Sequence, residues 1–184
     1  MDECSQPGTL ENKLSIGADM KTENEQGTNN TGTVTFQAEP IDKAIDDATA
    51  LISEHWVECA CWKDKVKLNP DKDRFIAAEA LGIAKAYTMR DDEGRLIGYA
   101  GVLVNAHLHY KEDVFAMVDV LYLDPHYRAG LSAYKFMRWV EARVKELGAS
   151  VMTYHIKSFH DYPAIFERLG FEKIEYIYAK CLKE

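Results

Sequence analysis

Residues 118–138 read VDVLYLDPHYRAGLSAYKFMR and decide the fold. An apolar strand that ends near Leu123 runs into a turn at Pro125, then a run of small residues, then a helix. Backbone N–H groups in the first turn of a helix have no partner within the helix, so several of them face outward here. The stretch therefore predicts a strand, turn and helix unit that binds an anion at its turn.

The residues of this turn suit a diphosphate ligand. Small side chains let phosphates approach the main chain closely, and the turn supplies Ala129, Gly130, Ser132 and Ala133. Arg128 adds a guanidinium fork that can hold the same phosphates. The pattern is neither the G-x-G-x-x-G of a dinucleotide-binding turn nor a loop that ends in Gly-Lys-Ser/Thr.

The segment Arg128-Ala129-Gly130-Leu131-Ser132-Ala133 resembles the acetyl-CoA motif Arg/Gln-x-x-Gly-x-Gly/Ala of the GNAT superfamily of N-acetyltransferases. Its first and last positions match, and Leu131 stands where the family has its central Gly. Residues 164–171, AIFERLGF, resemble the late helix of the same family, which ends in Leu-Gly-Phe. With strands between the two motifs, the resemblance covers residues 33–184 and is nearest to the divergent GNAT proteins of phages and bacteria.

The spacing of apolar residues predicts an α/β fold in the GNAT order βααβββαβαβ, a mixed sheet with helices on both faces. The expected strands are 33–38, 84–90, 96–105, 115–123, 151–156 and 172–182, and the expected helices are 41–56, 74–81, 131–147 and 163–169. The resemblance implies splayed fourth and fifth strands, whose free backbone groups bind the pantetheine arm. Here those groups belong to the stretch from Leu121 through Tyr122 to Leu123.

Residues 1–32 are polar, with almost no aromatic or β-branched apolar residues, and are expected to be a disordered leader. Residues 33–184 are expected to form one catalytic domain. The leader has neither a signal-peptide nor a transit-peptide pattern, and the chain has no apolar run long enough to span a membrane. We therefore expect a cytoplasmic protein without a membrane partner.

The formal net charge of −8 argues against nucleic acid as a partner, since nucleic-acid binding needs clustered Lys and Arg. It fits a cationic acceptor, although acidity also serves solubility alone. Cys4, Cys59, Cys61 and Cys181 show neither a disulfide framework nor the ligand spacing of a zinc site, so reduced thiols and no metal are expected. Trp56, Cys59 and Trp62 recur at near-helical spacing, either as a core stripe or as the wall of an acceptor pocket.

The resemblance implies transfer of an acetyl group from acetyl-CoA to a primary amine of a small molecule or a protein, by direct attack in a ternary complex. The cradle Arg128, Ala129, Gly130, Leu131, Ser132 and Ala133 would hold the diphosphate. A lysine-like ammonium, with a pKa near ~10.4, must first lose a proton. Asp119, in an otherwise apolar strand, is the predicted base, and pairing with a cation or capping a loop is its structural alternative.

Further candidates lie on either side of the cradle. His107 and His109 alternate at a predicted strand end and would point the same way, toward the acceptor; a metal pair without a third ligand, or ordinary hairpin residues, are the alternatives. Phe166 occupies the place of the Tyr that serves as the family's general acid. A Phe there can pack on the cofactor but cannot donate a proton. Tyr162, one helical turn earlier, is the predicted acid, with Tyr154 or water as substitutes.

Two other functions compete with acetyl transfer. Leu131 and Phe166 favour a GNAT-like protein that binds acyl-CoA and acts through protein contacts. An acyl-CoA hydrolase is not indicated, because no Ser or Cys lies in a recognisable nucleophile elbow. The apolar last strand, residues 174–178, is in addition a candidate for pairing across a homodimer.

Overall fold

A computed structural model describes residues 33–183. The predicted leader, residues 1–32, lies outside the described residues. The elements in chain order are β1 (Thr35–Glu39), α1 (Ile41–Cys59), α2 (Lys72–Ala80), β2 (Ala84–Arg90), β3 (Leu96–His107), β4 (Tyr110–Leu123), α3 (Ser132–Glu146), β5 (Ala149–Tyr154) and α4 (Pro163–Leu169). Short 3-10 turns lie at Pro125–Tyr127 and Ser158–His160.

The five strands form one mixed sheet in the order β1-β2-β3-β4-β5. The first four pair antiparallel, and β4 pairs parallel with β5. A parallel pair needs a crossover, which α3 supplies. The predicted α/β class and mixed sheet are confirmed.

The sheet buries apolar side chains on both faces. The larger cluster lies between the sheet and α3, and it includes Met89, Ile97, Val102, Val118, Phe136 and Val140. The smaller one lies against α1 and comprises Ala48, Leu51, Leu96 and Tyr122. Because neighbouring strand residues point to opposite faces, Tyr122 packs toward α1 while Leu123 packs toward α3.

A β-bulge interrupts β4 at Asp119. Gly101 pairs with Val120 and Val102 with Val118, which leaves Asp119 opposite no residue of β3. Gly101 allows this close approach, since a Cβ atom there would lie 2.7 Å from Cγ2 of Val120. A bulge bends its strand, and this one lies where β4 and β5 stop pairing.

A buried ion pair ties the start of the fold to the sheet. Arg90 on β2 donates two hydrogen bonds to Glu39 on β1, from Nε to Oε1 at 2.8 Å and from Nη2 to Oε2 at 2.6 Å. The same guanidinium donates to Oδ2 of Asp47 on α1. The Arg90 fork holds the pKa of Glu39 below its usual value.

The predicted last strand, residues 172–182, is wrong. The backbone after Phe171 joins no ladder, and Ile174, Tyr176, Ile177 and Tyr178 are exposed. The segment has strand-forming side chains but no partner strand, and β propensity alone does not make a ladder. The observed order is therefore βααβββαβα, with β5 at the edge of the sheet.

None of the helices in residues 33–183 is both long enough and apolar enough to cross a membrane.

Candidate functional site

β4 and β5 separate partway along their length. Their pairing ends at Val118 and Tyr154, after which the amide of His155 still reaches the carbonyl of Val118 at 3.3 Å. β4 continues to Leu123 with a partner on its β3 side alone. This is the splay between the fourth and fifth strands that the resemblance implied, although β5 lies at the edge of the sheet rather than in its centre.

One hydrogen bond shows which way the backbone N–H and C=O groups at the end of β4 point. The amide of Asp124 donates to the carbonyl of Ile97 on β3 at 2.8 Å. Backbone groups alternate along a strand, so those of Leu121 and Leu123 point the other way, into the gap left by β5. We call this stretch, Leu121 to Leu123, the open edge.

The turn after β4 brings the start of α3 beside the open edge. Gly130 has a φ of +77°, a conformation that favours glycine, while a Cβ there would meet no atom within 4 Å. Leu131 is the N-cap residue of α3, and among the described residues no side chain caps this helix. The first N–H groups of α3, from Ser132 onward, therefore have no side-chain cap at the turn where the sequence predicts an anion site, and anion binding there stays a prediction.

A cleft of about 140 Å³ lies between the end of α1, the open edge and α3. Six of its lining residues were predicted from the sequence: Leu121, Tyr122, Leu123, Arg128, Ala133 and Tyr162. Cys59, which the sequence predicted either as a core residue or as part of a pocket wall, lines the cleft as well, whereas Trp56 and Trp62 do not. The others are Glu58, Phe136, Met137 and His160. Ala129, Gly130 and Leu131 lie in the adjoining turn and Ser132 begins α3, and none of the four lines the cleft.

A larger cleft, about 450 Å³, lies elsewhere, between β1, β2 and the C-terminal end of α3. Glu39, Lys85, Arg143 and Glu146 are among its lining residues. It adjoins neither the open edge nor the start of α3. Size alone therefore does not mark it as the reactive site.

Arg128 differs from its expected role as a free phosphate-binding fork. Its Nη1 and Nη2 atoms donate to Oε1 and Oε2 of Glu58 at 2.8 and 2.7 Å, and its Nε donates to the carbonyl of Leu123 at 2.8 Å. The guanidinium also lies 5.0 Å from the ring centre of Tyr122. Every nitrogen of the fork is thus engaged, so a diphosphate must compete with Glu58 for it.

Glu58, at the end of α1, is the principal residue that sequence reasoning missed. Hydrogen bonds from Arg128 and from the Tyr122 hydroxyl lower the pKa of its carboxyl, against the opposing effect of burial. Nδ1 of His160 lies 3.9 Å from Oε1 of the same group. Glu58 is distant in sequence from Arg128, Tyr122 and His160, so no local sequence pattern could have connected it to them.

An uncharged aromatic cluster lies beside the cleft on the α1 side and reaches it through Tyr122. Nδ1 of His55 lies 2.8 Å from the hydroxyl of Tyr99, and the His55 ring stacks on Tyr122 at 4.8 Å between centres. Burial lowers the pKa of His55 and raises those of Tyr99 and Tyr122, the latter to about 12. These rings are therefore neutral near pH 7.

Glu58, Cys59 and His160 each bring one ligand-type atom within 4.8 Å of the others. Burial raises the pKa of the Cys59 thiol, which disfavours the thiolate that a metal needs. The guanidinium of Arg128 already neutralises Glu58. We therefore assign no metal to this group.

Three other predicted residues lie outside the cleft. Asp119 is exposed at the bulge of β4, with no hydrogen bond or ion pair to any described residue. His107 ends β3 and His109 lies in the turn that follows, so the prediction that both stand on a strand is wrong for His109. Their hairpin tip is at the opposite end of β4 from Leu121, roughly 35–40 Å of strand away.

The late helix contributes one predicted residue to the cleft and one beside it. Tyr162 precedes α4, half-exposed, with its hydroxyl 3.2 Å from Nδ1 of His160. Phe166 packs on Tyr154, where β5 ends, and on Phe171, with ring centres 5.2 and 6.1 Å away. The aromatic packing that Phe166 makes is thus with protein rings at the β5 side of the gap.

No protein-family model and no curated protein matches the sequence. Solved structures do match its fold. Glucosamine-6-phosphate N-acetyltransferase from Arabidopsis thaliana has a TM-score of 0.63 at 12% identity, over 82% of this chain and 99% of that one. Ribosomal-protein-alanine N-acetyltransferase from Brucella melitensis gives 0.60 at 14%, over 82% and 99%.

A predicted acetyltransferase from Clostridium acetobutylicum, crystallised with acetyl-CoA, gives a TM-score of 0.61 at 11% identity, over 82% of this chain and 97% of that one. Nearly the whole length of each of these three proteins is covered. The chain therefore has the GNAT acetyltransferase fold, as its two motifs predicted.

Proposed function

We propose that this protein is an N-acetyltransferase that moves an acetyl group from acetyl-CoA to a primary amine by direct attack in a ternary complex. The observation that carries the proposal is the open edge, Leu121 to Leu123, beside the uncapped start of α3. A strand edge without a neighbouring strand suits the amide-bearing pantetheine arm, and a helix start suits its diphosphate. The fold shared with acetyltransferases supports the same assignment.

The donor would lie along β4 and across the turn. Backbone groups of Leu121 and Leu123 orient the arm and polarise the thioester carbonyl, with Tyr122 between them. Arg128 and the turn from Ala129 to Ala133 bind the diphosphate. Phe166, beside Tyr154 at the end of β5, would contact the donor from the other side of the gap.

The acceptor would be a primary amine that loses one proton before attack. Asp119, the carboxylate predicted from the sequence, is at the bulge and open to solvent, where a proton would reach it only through water. Glu58 is a second carboxylate and lies in the cleft itself. Tyr162, which also lines the cleft, would return a proton to the departing thiolate.

The test is calorimetric titration of acetyl-CoA into the wild type, followed by a thiol-release assay. Two amines of the panel, glucosamine 6-phosphate and a peptide with N-terminal alanine, follow the names of structural neighbours. Spermidine is added as a simple polyamine. We expect micromolar binding and amine-dependent thiol release. Arg128→Glu should abolish binding, whereas Arg138→Glu, on the exposed face of α3, should preserve it.

The outcomes separate the two functions that the sequence left open. Binding with no thiol release for any amine would favour the protein that acts through contacts over the enzyme. No binding at all would contradict both, because each requires the acyl-CoA cleft.

A further inference from the structure

We propose that Glu58 is the group that accepts the amine's proton, and that it becomes available only when the bound donor draws Arg128 away from it. This inference rests on the proposed acetyl transfer. It adds a residue on α1 that the motifs do not contain, and it makes the ion pair between Arg128 and Glu58 a link between donor binding and chemistry.

Position is the first argument. Among the described residues that line the cleft, Glu58 is the single carboxylate. Its side chain is 24% exposed, so it meets both the cleft and solvent. Asp119 is exposed outside that lining. For an amine in the cleft, Glu58 is therefore the carboxylate at hand among the described lining residues.

The second argument is that Glu58 is blocked as the structure stands. Both of its oxygens accept from the same guanidinium, at 2.8 and 2.7 Å. That bidentate bond is the main reason why the pKa of Glu58 is low. A carboxylate held in this way is a weak base with no oxygen oriented to an incoming ammonium.

The third argument is that the proposed donor competes with the partners of Arg128. The Nε atom bonds the carbonyl of Leu123, a group of the open edge where the pantetheine arm would lie. The two terminal nitrogens would turn from Glu58 to the diphosphate, which accepts the same planar fork with more negative charge. Donor binding thus exchanges one anion for another at Arg128.

The carboxylate of Glu58 loses its main cationic partner once Arg128 moves away. The main cause of the low pKa of the carboxyl is then gone, and burial raises that pKa against the smaller lowering effects of Tyr122 and His160. The remaining groups that face it are His55 and Cys59 from α1, Tyr122 from β4, and His160 from the turn after β5. Lys157, in that same segment, acts on His55 and Cys59 from farther out.

The proton balance of the step is complete without another reactant. The ammonium gives one proton to Glu58, and the neutral nitrogen attacks the thioester carbonyl carbon. The C–N bond forms, the C–S bond breaks, and the second proton lost by nitrogen passes to the CoA sulfur. Glu58 then returns its proton to solvent, which leaves an amide and free CoA.

The test is the Glu58→Gln substitution, measured in two ways. Because Gln does not hold Arg128 as an anion does, acetyl-CoA should bind about two- to fivefold more tightly, the range of a partly exposed ion pair. Turnover at saturating donor should fall about 10²–10⁴-fold, the contribution of a general base. A purely structural Glu58 would instead weaken binding and turnover together.

Matched variants sharpen the comparison. Asp46→Asn, at an exposed carboxylate earlier on α1 that pairs with Lys72, should change neither quantity. Asp119→Asn should cost less turnover than Glu58→Gln. Near wild-type turnover of Glu58→Gln, or a larger loss confined to Asp119→Asn, would overturn the proposal and leave acetyl transfer standing. If the wild type releases no thiol with any amine, the proposed function fails and the role of Glu58 fails with it.

Discussion

The Nε atom of Arg128 donates a 2.8 Å hydrogen bond to the carbonyl oxygen of Leu123. This bond ties the turn before α3 to the last residue of the open edge, so the two proposed donor contacts are held in one geometry. The remaining nitrogens reach α1 through Glu58. One guanidinium therefore joins three parts of the site.

Replacement of Arg128 by Lys should weaken acetyl-CoA binding about 10-fold, because Lys keeps the charge but loses the planar fork. The free energy of unfolding should change by about 1 kcal/mol or less, since the ion pair is partly exposed. Calorimetry and urea unfolding measure the two effects. Arg138→Lys is the control and should alter neither; equal donor affinity in Arg128→Lys would contradict the assignment.

Gly130→Ala should lower both stability and donor affinity. An L-residue at a φ of +77° is strained by roughly 1–2 kcal/mol, and relief of that strain would move the turn beside the open edge. Gly94→Ala is a matched control, because Gly94 has a φ of +79° and equally open space, but lies in the hairpin between β2 and β3. We expect similar losses of stability by urea unfolding and loss of donor affinity for Gly130→Ala alone.

The ion pair between Glu39 and Arg90 should make stability depend on pH. The folded pKa of Glu39 lies below its unfolded value, so the stabilisation is fully present above the unfolded pKa, near ~4.3, and is lost as pH falls through the folded pKa. Glu39→Gln should cost about 3 kcal/mol at pH 7, as for other buried pairs that lose one partner. Asp46→Asn, which breaks an exposed pair with Lys72, should cost about 0.5 kcal/mol or less.

Urea unfolding of both variants at pH 7 and pH 3 checks this prediction. The difference between wild type and Glu39→Gln should shrink at pH 3, because the stabilisation declines below the unfolded pKa as the pH falls toward the lowered folded pKa. A difference that stays constant between the two pH values would show that the pair does not titrate with folding.

Tyr162→Phe tests the predicted acid. The Tyr162 hydroxyl lies in the cleft, 3.2 Å from Nδ1 of His160. Its loss should slow turnover about 10-fold, below the usual range for a general acid because a CoA thiolate leaves readily, while donor affinity stays unchanged. Tyr134→Phe, on α3 outside the cleft, should leave turnover at the wild-type value. Steady-state thiol release measures the turnover of both variants, and equal turnover in Tyr162→Phe and Tyr134→Phe would contradict the role of Tyr162 as the acid.

Homodimer formation through residues 174–178 is a further prediction. This segment exposes Ile174, Tyr176, Ile177 and Tyr178, and β5 is an edge strand, so a second copy can supply the missing ladder partner. Ile174→Asp should weaken a dimer measured by sedimentation velocity. Leu108→Asp, at the fully exposed hairpin tip, should not. A wild type that remains monomeric at high concentration would contradict the prediction.

Much of the fold followed from local sequence. The helices α1 and α3 and the strands β2 to β5 appear close to their predicted positions, because their apolar residues repeat with the period of the element they form. The turn at Gly130 and the open edge followed from the two motifs around Arg128 and Gly170. These features depend on short-range geometry, which a single sequence carries.

The sequence by itself determined the α/β class and the turn before α3, and the resemblance of its motifs implied the splay of β4 and β5. Only the tertiary structure decided which groups share the cleft: it brought Glu58, Cys59 and His160 to Arg128, and left Asp119, His107 and His109 outside. It also left residues 172–182 without a ladder, despite their strand-forming side chains. Both outcomes have one physical reason, since contacts between distant segments depend on how α1, β4 and the segment after β5 pack, and no residue spacing along the chain encodes that packing.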